Sequence, residues 1–184
     1  MYNWLDIIQN TLLPPNCILC GHAGWQNLDV CVSCYSQLTK NTPCCVRCAR
    51  SLETPSALCG ACLTRPPAFD NTYAPFLYHS HIGYLIKGLK YNADYKNARS
   101  LGLLLTESVQ NAPRPDCIIP VPLHKARYRQ RGFNQAIEIA KTVSKSLQIP
   151  IDLDCCIRHR DTPQQTQSIG ICNDLLTVLA ISMA

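Results

Sequence analysis

The chain has 184 residues, 47% of them hydrophobic and 16% charged, the composition of an ordinary folded protein with room for one small module and one modest domain. Its net charge of +5 is uneven: residues 1–68 carry four Lys/Arg against three acids, 69–150 eleven against five, and 151–184 two against four. Met1 to Asn16 lacks the basic start and cleavable apolar core of a signal peptide, and no later run reaches the length of a membrane span, so membrane insertion is not expected and a cytoplasmic location is.

The first third is a ladder of cysteines. Four Cys-x-x-Cys pairs, Cys17/Cys20, Cys31/Cys34, Cys45/Cys48 and Cys59/Cys62, begin every fourteen residues. One such pair could be a redox dithiol, whereas eight thiolates in register match two tetrahedral four-cysteine zinc sites. A disulfide framework is the competing reading, and the reducing cytoplasm argues against it. Large apolar side chains are few between residues 17 and 62, and a module this small rarely folds on its core alone. Structural zinc, at on the order of 10–16 kcal/mol of apparent binding energy, would supply the difference. Equal spacers leave sequential, cross-braced and nested pairings open; sequential pairing closes the shortest loops and is expected. Cys44, Cys117, Cys155, Cys156 and Cys172 read as buried thiols, with Cys44 the one substitute ligand and His22 the histidine placed beside zinc.

Arg65-Pro66-Pro67 marks a linker, because consecutive prolines stop regular structure. Asn71 to Tyr78 is extended and aromatic. Ile82, Leu85, Ile86 and Leu89 recur at helical spacing, as do Ala98, Leu101, Leu104, Leu105 and Val109 before Pro113 and Pro115. Asp116 to Val121 reads as a buried strand, Phe133 to Leu147 as an amphipathic helix, and the alternation Ile151, Leu153, Cys155, Ile157 as the next strand. Strand, basic loop, helix and strand in that order predict an α/β fold with a parallel sheet from about residue 69 onward.

Ligands of such sheets sit beyond the carboxyl ends of the strands, where the loop Pro122 to Gly132 would lie. Gly132 permits a tight turn, and Asn134 would cap the following helix. Arg127, Arg129 and Arg131 around that turn suit a phosphate or pyrophosphate group, against the alternative of a merely solvated basic loop.

The run Ile118-Ile119-Pro120-Val121-Pro122-Leu123, then Arg127-Tyr128-Arg129-Gln130-Arg131-Gly132-Phe133-Asn134-Gln135-Ala136, resembles the signature of the ComF/GntX family of phosphoribosyltransferase-like proteins. Leu89-Lys90-Tyr91, the segment Arg158 to Thr166 and the cysteine ladder, similar to that family's double zinc ribbon, follow the same order. The resemblance implies a first unit over residues 1–66, an N-terminal helix and double zinc ribbon, and a second over 67–184, a type I phosphoribosyltransferase-like α/β domain. It also implies a link to competence and DNA uptake or utilisation, with phosphoribosyl pyrophosphate and Mg2+ as ligands of intact relatives. Lys90, the three arginines, Gly132 and Arg158 would serve the phosphates.

One expected part is missing. Such a fold carries an acidic pair leading into a Thr-Thr-Gly-like turn that holds the ribose 5-phosphate, and after Thr166 only Asp174 is acidic. The domain therefore reads as incomplete, truncated after about residue 166, with phosphoribosyl pyrophosphate binding impaired and no catalytic residue assignable. The alternative reading is a zinc-ribbon adaptor or single-stranded DNA-binding protein without enzymatic activity, with Tyr128 and Phe133 stacking on bases or the ribbons docking on competence-machinery proteins.

Overall fold

The computed structural model describes residues 15–25 and 28–161, together with the backbone of 179–180. The expected N-terminal helix, Cys172 and Asp174 lie outside the described residues.

The structural unit of the ladder is twice its sequence period. Cys17 N–H donates to the His22 carbonyl at 2.6 Å, Gly21 N–H to Cys17 at 2.8 Å, Ile18 N–H to Asp29 at 2.9 Å and Tyr35 N–H to Cys31 at 2.9 Å. Moved by the separation of Cys17 and Cys45, each bond recurs: Cys45 to Arg50 at 2.9 Å, Ala49 to Cys45 at 2.8 Å, Val46 to Ala57 at 3.0 Å and Leu63 to Cys59 at 3.0 Å. The antiparallel bridge Asn16–Ala23 recurs as Cys44–Ser51. In each ribbon the first pair forms a knuckle, and the second starts a short helix, α1 (Val32–Ser36) or α2 (Gly60–Thr64), with Cys31 or Cys59 as N-cap. The knuckle ends in a left-handed residue, Gly21 at φ +80° and Ala49 at φ +55°. Glycine takes that conformation freely and alanine does not.

The two ribbons sit in different surroundings. Cys17, Leu28, Val30, Cys34 and Leu38 of the first belong to one continuous core with Ile82, Leu85 and Leu89 of α3 (Ser80–Asn92), and Ala98, Leu101 and Leu104 of α4 (Tyr95–Val109). Asp29 accepts from Arg99, and the Tyr35 hydroxyl donates to Glu107 at 2.9 Å, so ribbon and helix are joined at their rim as well. The second ribbon has a small cluster of its own: Cys45, Cys59 and Cys62, with Cys48, Leu52 and Leu58 around them.

The extended stretch after the prolines ties the ribbons together. Lys40 bridges Phe76, Leu77 N–H donates to Thr39 at 2.9 Å, and Thr72 N–H donates to Val46 at 3.3 Å. Buried Asn41 stands at this junction. Its amide donates to the Ala49 and Ala74 carbonyls at 2.8 and 3.1 Å, and its oxygen accepts from Ser51 at 2.7 Å.

Ile118, Ile139, Ala140 and Val143 complete the main core, the last three from α6 (Gln135–Leu147). α4 and α6 approach closely at Gly102, where a β-carbon would come within 2.6 Å of the Thr142 side chain. The expected parallel sheet is reduced. Among the described residues it amounts to one parallel bridge, Ile118–Ile151, closed by Ile118 N–H to Pro150 at 2.8 Å and Asp152 N–H to Ile118 at 3.0 Å. A type I phosphoribosyltransferase-like sheet is thus not established there. β1 (Ile119–Pro120) pairs instead with β2 (Leu179–Ala180), antiparallel. Pro120 has no N–H to extend a ladder. Past Ile151 the alternating residues do not form a strand, because the Asp152 carboxylate accepts the N–H groups of Asp154 and Cys155 and turns the chain. Leu153, Cys155, Cys156 and Ile157 are consequently exposed, and Cys44 and Cys117 are only half-buried, contrary to the expectation of buried thiols.

Candidate metal centres and a basic corner

Cys17, Cys20, Cys31 and Cys34 bring their sulfurs within 4.8 Å of one another, and so do Cys45, Cys48, Cys59 and Cys62. The pairing is sequential, as loop length favoured. Tetrahedral zinc with Zn–S bonds of about 2.3 Å requires sulfur–sulfur separations of about 3.8 Å. Cys20 and Cys31 are 3.6 Å apart, Cys48 and Cys59 3.7 Å. Both donor sets fit the ion in number, type and spacing. Cys44 belongs to neither, and His22 stands beside the first set with Nδ1 3.3 Å from the Cys20 sulfur.

Each knuckle prepares one thiolate. Burial pushes Cys17 up, but backbone N–H groups of Cys31, Leu19 and Cys20 outweigh it and bring its pKa down to about 6. Cys45 likewise falls to about 6, through Cys48, Cys59 and Arg47 against burial. The last cysteine of each set goes the other way, Cys34 upward and Cys62 up to about 12, through burial and the neighbouring sulfurs. A dication between four such sulfurs removes this crowding, which is the chemistry of a structural zinc site.

The basic segment is helical, not a loop. Lys125–Arg131 forms α5, with His124 as N-cap and Gly132 at φ +79° ending it. Lys-Ala-Arg-Tyr-Arg-Gln-Arg consists mostly of good helix formers. Burial and, after it, the positive charge of Arg131 lower the pKa of Lys90, so the end of α3 feels the charge at the end of α5. Arg129 is exposed, while Arg127 donates to Asp161 at 3.2 Å and His124 Nδ1 lies 3.8 Å from the same carboxylate. Arg158 donates to the Arg160 carbonyl at 3.4 Å. Asp161 as an anchor was not foreseen, since nothing in its spacing from Arg127 signals a partner. Asn134 caps α6 as expected, accepting from Ala136 N–H at 2.9 Å while donating to Val121 at 3.0 Å. Of the two rings expected to stack on bases, only Tyr128 is exposed; Phe133 is 5% accessible, packed on Tyr95 with centroids 4.9 Å apart.

The Double zinc ribbon domain family matches residues 8–63, the segment that holds both cysteine sets. Competence protein F of Haemophilus influenzae is 33% identical over 141 residues, 73% of this chain and 61% of that protein. This chain belongs to the ComF family. DNA utilization protein YhgH of Escherichia coli O157:H7 is 34% identical over 113 residues, 58% of the chain and 50% of the relative, and YhgH of Salmonella typhi is 28% identical over 155 residues, 81% and 62%. The chain thus spans between half and about six-tenths of the length of these ComF relatives. No solved structure matches with significance. Among the described residues, no helix of this ComF protein is long and apolar enough to cross a membrane.

Proposed function

We propose that this ComF-family chain serves DNA utilisation as a cytoplasmic zinc-ribbon protein that binds phosphate groups at the corner between α3 and α5. The observation that carries this reading is the Lys90–Arg131 pair. Burial and, after it, the positive charge of Arg131 both disfavour protonated Lys90, and a bound anion would offset both. Among the described residues neither has a carboxylate partner, whereas Arg127 and His124 share Asp161. A phosphate or pyrophosphate at the corner would relieve the repulsion, with Arg129 and the turn at Gly132 beside it. Phosphoribosyl transfer is a separate reading, carried by the family resemblance and not by this corner. Calorimetry with pyrophosphate, with and without Mg2+, tests it. Binding should be saturable and lost in Lys90→Ala and in Arg131→Ala, with Arg158→Ala weaker in effect. Heats unchanged by Lys90→Ala and Arg131→Ala would refute the site, and tight magnesium-dependent binding of phosphoribosyl pyrophosphate would return the chain to the transferase reading.

A second reading, single-stranded DNA along the same surface, is favoured by exposed Tyr128 lying in sequence between Arg127 and Arg129, and by exposed Tyr91 next to Lys90. Stacking of one base on one ring is worth about 1–3 kcal/mol. This reading requires affinity for an oligonucleotide that falls steeply with salt and drops in Tyr128→Ala, a variant that should leave pyrophosphate binding intact.

A further inference from the structure

The two ribbons have the same backbone, so each side chain of the first has a counterpart in the second, and their fates differ on one face. In the first ribbon Ile18, Leu19 and Tyr35 pack against the main core, and Asp29 on the same side takes Arg99 of α4. This is the face by which a ribbon docks on a helix. The counterparts in the second are Val46, Arg47, Leu63 and Ala57. Val46 is 53% accessible and Leu63 is 66% accessible. Thr72 N–H donates to Val46, and the neighbouring Tyr73, also exposed, extends the apolar surface.

We propose that this face of the second ribbon docks an amphipathic α-helix of a partner protein, one whose flank is acidic. The first ribbon supplies the geometry, since Asp29 and Tyr35, the counterparts of Ala57 and Leu63, meet the helix α4 through Arg99 and Glu107, and Ile18 packs on the core that α4 shares. Charge supplies the sign. Where the first ribbon offers an acid, Asp29, to a basic helix residue, the second offers Arg47 beside Val46 and Arg65 at the end of α2, two residues after Leu63, with Ala57 in place of the acid. Carboxylates placed around a Leu- or Ile-rich stripe would meet those arginines as the stripe covers Val46 and Leu63. The α4 of a second copy does not fit, because in each copy it is covered by its own first ribbon and meets an acid there. A nucleic acid would meet the arginines but leave Leu63 uncovered.

The test uses the full zinc-loaded chain carrying a photo-crosslinking residue in place of Leu63, irradiated in the cells that produce it, with the attached segment sequenced by mass spectrometry. The expected product is a segment of another protein with apolar residues at helical spacing and Asp or Glu beside them. Its yield should fall about tenfold when Arg47→Glu and Arg65→Glu are combined. Arg65→Ala alone, at an exposed position, should lower the yield in the same direction, and native mass spectrometry checks that both variants still hold two metals. Attachment to a second copy of the chain, attachment to nucleic acid, a segment without acidic residues, no attachment, or a yield indifferent to Arg65→Ala would each overturn the proposal.

Discussion

The first and second ribbons share a hydrogen-bond pattern, a metal geometry and the direction of thiol pKa shift at their first and last cysteines, yet only the first is built into the body of the protein. Cys17 and Cys34 are core residues in the same sense as Leu85 and Leu101, whereas Cys45, Cys59 and Cys62 are most of a core by themselves. A metal site of one type can therefore hold up a whole domain or only itself. The difference lies in what packs on the sulfurs, not in the sulfurs.

Metal removal is the largest expected effect. With on the order of 10–16 kcal/mol of apparent binding energy per structural zinc, Cys17→Ser should abolish cooperative unfolding of the helical region, seen as loss of the far-ultraviolet melting transition. Cys45→Ser should leave that transition and lose one zinc per chain. Next in size is truncation of the shared core. Leu85→Ala should cost about 2–5 kcal/mol in chemical denaturation, while Leu58→Ala in the second ribbon should leave the main transition almost where it was. Asn41 joins the two regions, and Asn41→Ala strips partners from buried carbonyls at a cost of about 1–3 kcal/mol. Proteolysis between the ribbons should accelerate in that variant. The smallest effect is at the start of α6: Asn134→Ala removes a cap worth about 1 kcal/mol together with the hydrogen bond to the Val121 carbonyl, read as a lowered melting temperature with both zincs retained.

The sequence was most informative where one residue type repeats. Eight cysteines at fixed spacing announce two metal sites, and the sulfurs meet in sequential sets. The period of fourteen concealed the true repeat, because alternate pairs do different work: Cys17/Cys20 and Cys45/Cys48 make knuckles, Cys31/Cys34 and Cys59/Cys62 begin helices. The stripes of α3, α4 and α6 were legible from apolar spacing. The strands were legible only in part: Ile118 and Ile119–Pro120 fall in the expected strand and Ile118 bridges Ile151 in parallel, but Pro120 cannot extend a ladder, and the Asp152 side chain turns the chain just where alternation suggested more strand. Charge density disguised α5 as a loop, although its residues favour helix. Phe133 follows Gly132 in a basic run and looks presented to a ligand, yet it is packed on Tyr95. That the first ribbon shares a core with α3 and α4 was hidden altogether, since Leu85 and Cys17 are far apart in the chain and no short-range pattern links them.

Hydrogen–deuterium exchange of the zinc-loaded chain, comparing Cys17→Ser with Cys45→Ser peptide by peptide, tests the contrast between the ribbons most directly. Cys17→Ser should deprotect residues 82–89 and 98–104 together with the first ribbon, and Cys45→Ser should confine its effect to residues 41–77. Equal deprotection of α3 and α4 by the two variants, or their full protection in Cys17→Ser, would contradict the account.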